Sequence, residues 1–229
     1  DYLVAADGVY SKTKQLLFKK EGLPEYANTI ALRGNIKDFN NLDISLYLGS
    51  NFHFVIYPIN QNKEFNFIAI IRKQFIQSKL INKDLLNDNT FKKNLLKQIS
   101  SKSNLNLVEK VEKTKCFPIF VSKKFLIPKS NNIFLTGDAF FSFPPSFAQG
   151  ASQSIESANE LFYDLSNNNS NYYKNRVLRT KQVNLRSNLN NFVFHLSNPL
   201  NIIFRNICLK YLSKNDRFLK NYLGKVYSN

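Results

Sequence analysis

The segment from Ile133 to Leu165 constrains the fold of this chain more than any other. An apolar run of four residues ends abruptly at Gly137, and Asp138 follows it. Glycine permits a tight turn, so the pattern predicts a buried strand with an aspartate at its carboxyl end. After a proline-containing loop, Gln149 and Gly150 open a helical pattern, and the N–H groups at such a helix start favour an anion or an electron-rich ring edge.

The start of the chain repeats this arrangement, because a short apolar run leads into Asp7-Gly8 and Ser11 can cap a following helix. Together the two turns resemble the motifs of the flavoprotein aromatic hydroxylases. These are single-component FAD-dependent monooxygenases that include ubiquinone-pathway, salicylate and hydroxybenzoate hydroxylases. The residues that match the DGxxSxxR and GDAAHxxxPxxGQG motifs are Asp7, Gly8, Ser11, Gly137, Asp138, Ala139, Pro145, Gln149 and Gly150.

The chain departs from both motifs at a few positions. Lys14 stands where the family has Arg, Phe140 and Phe141 replace Ala-His, and Ala148 replaces a glycine. Lysine keeps the charge but loses the bidentate fork, so we expect a point-charge contact with a phosphate. An alanine in the loop predicts a negative φ there and a loop of different shape.

The resemblance implies an α/β (α+β) fold: an incomplete FAD-binding Rossmann-like domain, an inserted and mostly antiparallel substrate-domain sheet, and C-terminal helices. We expect residues 1–27 and 127–170 in the FAD-binding domain, 28–126 in the substrate-binding domain and 171–229 in the C-terminal helices. The seven glycines cannot supply the family's GxGxxG segment, so we interpret the chain as the C-terminal part of a longer polypeptide. The strands at residues 2–5 and 133–135 are then expected to lack neighbours.

Between the two motifs, β-branched and aromatic runs alternate with turns rich in Asn, Gly and Lys, a pattern typical of antiparallel strands. These runs cover residues 29–36, 44–48, 52–59 and 65–73, and a helical pattern covers residues 85–99.

Two helices are predicted near the C-terminus. The first covers residues 172–196, with its apolar side chains inward and its basic side chains largely outward. The inward set is Val177, Leu178, Leu185, Leu189, Phe192 and Val193, and the outward set is Lys174, Arg176, Arg179, Lys181 and Arg186. The second starts at Pro199 and has an apolar stripe of Leu200, Ile203, Phe204, Ile207 and Tyr211. This stripe predicts packing against the domain or a homodimer; the alternative is a basic amphipathic helix that contacts anionic lipid.

The resemblance implies FAD as cofactor, NADPH or NADH and O2 as co-substrates, and a small aromatic or prenylated quinone-precursor substrate. The implied FAD contacts are Asp7, Gly8, Gly137, Asp138, Pro145, Gln149, Gly150 and Ala151. The implied substrate contacts are Tyr57, Pro58, Phe141 and Phe143. No catalytic acid or base and no metal site is assigned, because His53 and His195 are too few and too distant in sequence. Each of these residues also has a structural interpretation, as a turn aspartate, a loop residue or a packed aromatic.

Two other functions remain open at this stage. A flavoprotein of the same fold that does not hydroxylate, such as a halogenase-like or reductase-like protein, is favoured by Phe141 in place of the family's histidine. A basic module that binds membranes or nucleic acid without flavin is supported only by the net charge of +16 and the C-terminal helices. Nucleic acid is disfavoured, because no RNA-binding or zinc-finger motif is present. We expect a cytoplasmic location, with or without contact with the inner membrane face.

Overall fold

The computed structural model describes residues 1–37, 39, 43–59, 64–75, 83–103 and 105–227. They form two compact units. The first unit consists of Asp1–Ala27, Phe120–Asn191 and Lys220–Asn229, and the second of Asn28–Ile119 and Phe192–Leu219. The division into FAD-binding, substrate-binding and C-terminal parts stays a prediction.

The two units contain both strands and helices, as expected for a mixed α/β fold. The strands are β1 (Leu3–Ala5), β2 (Glu25–Ile36), β3 (Ser45–Gly49), β4 (Phe52–Pro58), β5 (Phe65–Arg72), β6 (Val111–Val121) and β7 (Ile133–Leu135). The α-helices are α1 (Lys12–Phe18), α2 (Lys83–Asn87), α3 (Asn89–Ser103), α4 (Leu107–Lys110), α5 (Gly137–Phe140), α6 (Gly150–Ser166), α7 (Tyr172–Phe194), α8 (Pro199–Leu212) and α9 (Asp216–Tyr227). Short 3-10 turns cover Lys19–Gly22 and Pro145–Phe147.

The first unit is organised around a parallel pair formed by β1 and β7. The second edge of β7 is closed by two tyrosine hydroxyls from α7. The Tyr173 hydroxyl accepts a hydrogen bond from the Leu135 amide at 2.8 Å and donates to the Ile133 carbonyl at 3.3 Å. The Tyr172 hydroxyl donates to the Leu135 carbonyl at 2.9 Å. The expectation that these strands lack neighbours is therefore wrong, because they pair with each other.

The second unit contains a five-stranded sheet in the order β3-β4-β5-β2-β6. The first residues of β2 and the last two residues of β6 are assigned to the first unit. The pairs β3/β4, β4/β5 and β5/β2 are antiparallel, which confirms the predicted pairing. Side chains alternate between two faces of a strand, and Phe54, Phe67 and Leu32 on one face are fully buried. The helical prediction for residues 85–99 is also confirmed, because α2 and α3 cover this segment.

The inward face of α7 differs from the prediction. Its buried residues are Tyr172, Arg176, Thr180, Val183 and Ser187. Four residues that were expected inward are exposed, namely Leu178, Leu185, Leu189 and Phe192. The helical spacing was therefore predicted correctly, but the predicted buried face was wrong. Arg176 is buried because it forms ion pairs with Glu156 and Glu160, so the buried face of α7 is largely polar.

The apolar stripe of α8 also differs from the prediction that it packs against the domain. Its five residues are each at least half exposed to solvent. Within the described ranges, no helix combines the length and the apolar character needed to cross a bilayer.

Candidate functional site

The turn after β7 strongly favours glycine. Gly137 has a φ of +55°, in the left-handed region. A Cβ atom at this position would also lie 2.7 Å from the Ser154 hydroxyl oxygen of α6. The turn therefore brings the start of α5 against the first turns of α6, and this close approach places Asp138 beside the N-terminal end of α6.

A narrow pocket of about 10 Å³ opens at this junction, with room for about one water molecule. Its lining residues are Gly137, Asp138, Phe140, Phe141, Phe143, Gly150, Gln153, Ser154, Ser157, Arg176 and Thr180. Asp138 remains accessible to solvent, and its carboxylate has no hydrogen-bond partner among the described residues. Partial desolvation raises the pKa of the Asp138 carboxyl above its ordinary value. The site thus holds a carboxylate that makes no hydrogen bond to the part of the chain that the structure describes.

The N-terminal end of α6 faces the same pocket without a side-chain cap. Gln149 occupies the cap position without accepting from the helix, and the first turn contains no acidic residue. A Cβ atom added at Gly150 would meet no atom within 4 Å. The backbone N–H groups of a 17-residue helix are therefore approachable here, with the positive end of the helix dipole behind them.

The loop before α6 keeps the conformation that glycine favours, although it lacks the family's glycine. Pro145 begins the short 3-10 turn, and Ala148 follows it with a φ of +52°. The expectation of a negative φ at Ala148 is wrong. The loop instead tolerates a strain of roughly 1–2 kcal/mol at this residue.

Behind the pocket, α6 and α7 are joined by a network of buried charges. Arg176 is only 2% exposed; its guanidinium donates to Gln153 Oε1 at 2.9 Å and forms ion pairs with Glu156 at 2.8 Å and Glu160 at 3.3 Å. Arg179 donates two hydrogen bonds to Glu156, at 2.7 and 3.1 Å. Desolvation raises the pKa of Glu156, but the hydrogen bond from Arg179 and the charge of Arg176 outweigh it, so the pKa is lowered.

Arg176 is the pocket residue that sequence reasoning missed, because it was expected to face outward. The signal that could have identified it is the acidic pair Glu156 and Glu160, which lies on the same side of α6 at a spacing of four residues.

The turn after β1 is built differently. Gly8 has a φ of +77°, so this turn also favours glycine. The Asp7 carboxylate accepts hydrogen bonds from the Thr13 amide at 3.2 Å and the Thr13 hydroxyl at 3.3 Å, and Ser11 caps α1 by accepting from the Lys14 amide at 2.9 Å. Desolvation raises the pKa of Asp7, but the hydrogen bonds from Ser11 and Thr13 outweigh it, so the pKa is lowered.

Lys14 connects the two turns within the first unit. Its side chain is buried, and its ammonium group donates to the Phe140 carbonyl at 2.9 Å and the Ser122 hydroxyl at 3.3 Å. Burial lowers its pKa to about 8. The ammonium group thus faces protein atoms, where we expected a contact with a phosphate.

The three phenylalanines of the loop both pack and line the pocket. Phe140 and Phe141 are buried in a cluster with Ala5 and Leu135, and Phe143 packs against this cluster. Phe141 stacks on Phe125 with ring centroids 4.2 Å apart.

The remaining predicted residues lie in the second unit. Tyr57 and Pro58 are half-buried at the end of β4, and the Tyr57 hydroxyl accepts a hydrogen bond from Asn66. The two histidines, although distant in sequence, are buried together, with His53 Nδ1 and His195 Nε2 2.8 Å apart. Burial, with a further contribution from the other histidine, lowers the pKa of His53 to about 3. Among the described residues, no cluster of three or more His, Cys, Asp or Glu side chains could hold a metal ion.

Comparison with known proteins gives a match by structure. No family model and no curated protein matches the sequence. An HpxO variant from Klebsiella pneumoniae in complex with FAD superposes with a TM-score of 0.74 at 17% identity, over 100% of this chain and 61% of that one. A salicylate hydroxylase substrate complex has a TM-score of 0.66 at 16% identity, over 99% of this chain and 63% of that one.

A third solved structure, 2,6-dihydroxypyridine-3-hydroxylase from Arthrobacter nicotinovorans, has a TM-score of 0.62 at 15% identity, over 81% of this chain and 55% of that one. This chain therefore has the fold of FAD-dependent aromatic hydroxylases, and it spans less than two thirds of their length. The resemblance stated from the motifs is confirmed at the level of the fold.

Proposed function

We propose that this chain forms part of an FAD-dependent monooxygenase that hydroxylates an aromatic or quinone-precursor substrate with NADPH or NADH and O2. The observation that supports this best is the pairing of an unsatisfied carboxylate, Asp138, with the uncapped N-terminal end of α6. A ligand that donates hydroxyl groups to the carboxylate and presents an electron-rich edge to the helix would satisfy both. FAD carries a ribityl chain and an isoalloxazine ring with these two properties.

The described residues fit this cofactor. Neither the packing nor the φ of Gly150 requires glycine, because a Cβ atom there would project into open space. A glycine at this position keeps the helix start open to a planar ring. The pocket itself is too small to enclose a ring, so the ring would lie outside its mouth. The proposed cofactor contacts are Asp7, Gly8, Gly137, Asp138, Pro145, Gln149, Gly150 and Ala151.

When bound, FAD supplies the redox chemistry, accepting reducing equivalents from the nicotinamide co-substrate and passing them to O2. Asp138 would accept hydrogen bonds from the ribityl hydroxyls and so orient the cofactor. The first turn of α6 would stabilise negative charge at the adjacent ring edge, because its N–H groups are already fixed in place. Phe141 and Phe143 exclude water from the wall of the pocket.

The proposed substrate class is based on the ring compounds that the structural neighbours bind or hydroxylate. HpxO has been crystallised with FAD and uric acid, a small planar ring compound. For this chain we propose a small aromatic or prenylated quinone precursor, with Tyr57, Pro58, Phe141 and Phe143 as substrate contacts. We also propose a cytoplasmic location, with or without contact with the inner membrane face.

A second candidate is a flavoprotein of the same fold that does not hydroxylate. It is favoured by Phe141, which occupies the position of the family's histidine and lies in the packed cluster. Its expected behaviour is oxidation of NADPH or NADH without a hydroxylated product.

The test is a visible absorbance spectrum of the full-length protein, followed by NADPH and NADH oxidation with and without candidate phenols. A bound-flavin spectrum and phenol-stimulated oxidation with hydroxylated product are expected. Flavin binding with oxidation but without product would favour the second candidate. A folded, colourless protein that takes up no added FAD would contradict both.

A further inference from the structure

One face of α8 is apolar and open to solvent. The exposed fractions are 76% for Leu200, 57% for Ile203, 70% for Phe204, 50% for Ile207 and 71% for Tyr211. Their spacing of three or four residues places all five on one side of a helix about 21 Å long. Single exposed apolar residues are common, but a continuous stripe of large side chains marks a surface that contacts something else.

The inner side of α8 is only partly buried, unlike that of a helix packed closely on its own domain. Ile202, Cys208 and Leu212 are half-buried there, and the one fully buried residue of this helix is Arg205, whose guanidinium donates to the neighbouring Asn206 side chain at 3.0 and 3.1 Å. A helix stabilised only by its own unit would bury Phe204 and expose Arg205, because burial of the phenylalanine is favourable and burial of the guanidinium is costly.

The charged side chains on and just after α8 are mostly basic. Helix α8 contains no acidic residue, and exposed basic residues lie in its last turn at Lys210, in the following turn at Lys214 and in α9 at Arg217. Within Phe192–Leu219, the C-terminal segment of the second unit, the sequence has four Lys and Arg residues and one acidic residue, Asp216.

These charges discriminate between the candidate occupants of the apolar face. A second copy of this chain would bring the same basic residues to a symmetric interface, where like charges oppose association. An anionic lipid surface instead offers negative charge next to an apolar interior, which complements basic residues beside an apolar stripe.

We propose that α8 docks on an anionic lipid bilayer, with its apolar stripe in the headgroup and acyl boundary and Lys210, Lys214 and Arg217 against the lipid phosphates. The helix lies in the plane of the membrane surface. This proposal stands on the surface of the second unit alone and is independent of flavin binding.

The test is co-sedimentation of the full-length protein with vesicles of phosphatidylcholine alone and of phosphatidylcholine with phosphatidylglycerol. Binding to the anionic vesicles is expected, with a clear decrease at 0.5 M salt because screening weakens the attraction. The double variant Ile203→Gln/Phe204→Gln should reduce the partition coefficient at least tenfold, since each side chain loses its transfer into the apolar region. The triple variant Lys210→Gln/Lys214→Gln/Arg217→Gln should abolish the preference for anionic vesicles.

The matched control is Ile44→Thr/Leu46→Thr, which removes two exposed apolar side chains from the same unit and should bind vesicles like the wild type. All substituted side chains are exposed, so unfolding temperatures should stay unchanged and a loss of binding cannot reflect misfolding. Equal binding to neutral and anionic vesicles would overturn the proposal. A dimer in lipid-free solution that the double variant converts to monomer would also overturn it and assign the stripe to a second copy.

Discussion

The two Asp/Gly turns look alike in sequence but use their aspartates differently. Asp7 accepts two hydrogen bonds from Thr13 and has a lowered pKa. Asp138 has no partner among the described residues and has a raised pKa. The first carboxylate stabilises the start of α1, whereas the second makes no hydrogen bond to the described residues and is the one that we propose binds the cofactor most directly. A motif match alone therefore does not distinguish an aspartate that organises a turn from one that is available for binding.

The largest effect is expected from Arg176, which supports the Asp138 turn from behind α6. Arg176→Gln leaves Glu156 and Glu160 without this buried partner and should lower the free energy of unfolding by about 3 kcal/mol. Chemical denaturation measures this change. Lys174→Gln removes an exposed charge from the same helix and is the control; equal losses in both variants would show that the network contributes nothing specific.

Asp138→Ala should weaken FAD binding by roughly 30- to 150-fold, because the lost hydrogen bonds to a charged acceptor contribute about 2 to 3 kcal/mol. Flavin fluorescence titration measures the affinity. Stability without flavin should change little, because no described group depends on this carboxylate. A variant that retains wild-type affinity for FAD would show that Asp138 does not contact the cofactor and that the two aspartates do not differ in function.

Lys14 links the two turns, and its charge is costly to bury. Its pKa is about 8 in the folded protein and about 10.5 unfolded, so between these values the unfolded chain binds more protons and stability rises with pH. We expect a gain of about 2 kcal/mol from pH 8 to pH 10 relative to Lys14→Met, from denaturation at several pH values. Parallel pH profiles for the two proteins would show that Lys14 is not desolvated.

Asp7→Ala should lower the free energy of unfolding by about 1 kcal/mol, the usual value of a helix-capping interaction. Its pKa is depressed, so the contribution is present above pH 3.8 and is lost as pH falls below it. FAD affinity should fall much less than in Asp138→Ala, and Asp216→Ala, which removes an exposed aspartate from the first turn of α9, is the matched control. If Asp7→Ala weakens FAD binding as strongly as Asp138→Ala, the two turns are equivalent after all.

The smallest effects concern backbone conformation, and their signs should be opposite. Gly8→Ala should destabilise the protein by about 1 kcal/mol, because φ is +77°. Ala148→Gly should stabilise it by about 0.5 kcal/mol, since relief of the strain at φ +52° is partly offset by the greater flexibility of unfolded glycine. Ala158→Gly in α6 is the control and should destabilise the protein, because its backbone is helical.

The fold was largely readable from local patterns. The runs at 29–36, 52–59 and 65–73 became β2, β4 and β5, because alternation of buried and exposed side chains is a local property of a strand. The long helix also ended within two residues of its predicted boundary. Glycine positions could be anticipated too, since Gly8 and Gly137 both have positive φ.

The partners of charged residues could not be predicted in the same way. Arg176 is buried because Glu156 and Glu160 meet it from another helix, and Lys14 is buried because the Phe140 carbonyl accepts from it across 126 residues of sequence. His53 and His195 meet across 142 residues. Such contacts depend on tertiary packing, which single-sequence periodicity does not contain.

The tyrosine hydroxyls bound to β7 determine on which side of the parallel pair a further strand can be added. With one edge of β7 closed by Tyr172 and Tyr173, a further strand can be added only beside β1, where Leu3 and Val4 remain about half exposed. An added strand, including one from another copy in an aggregate, can therefore pair only with the free edge of β1. The two tyrosine hydroxyls occupy the backbone groups of β7 that such a strand would otherwise use.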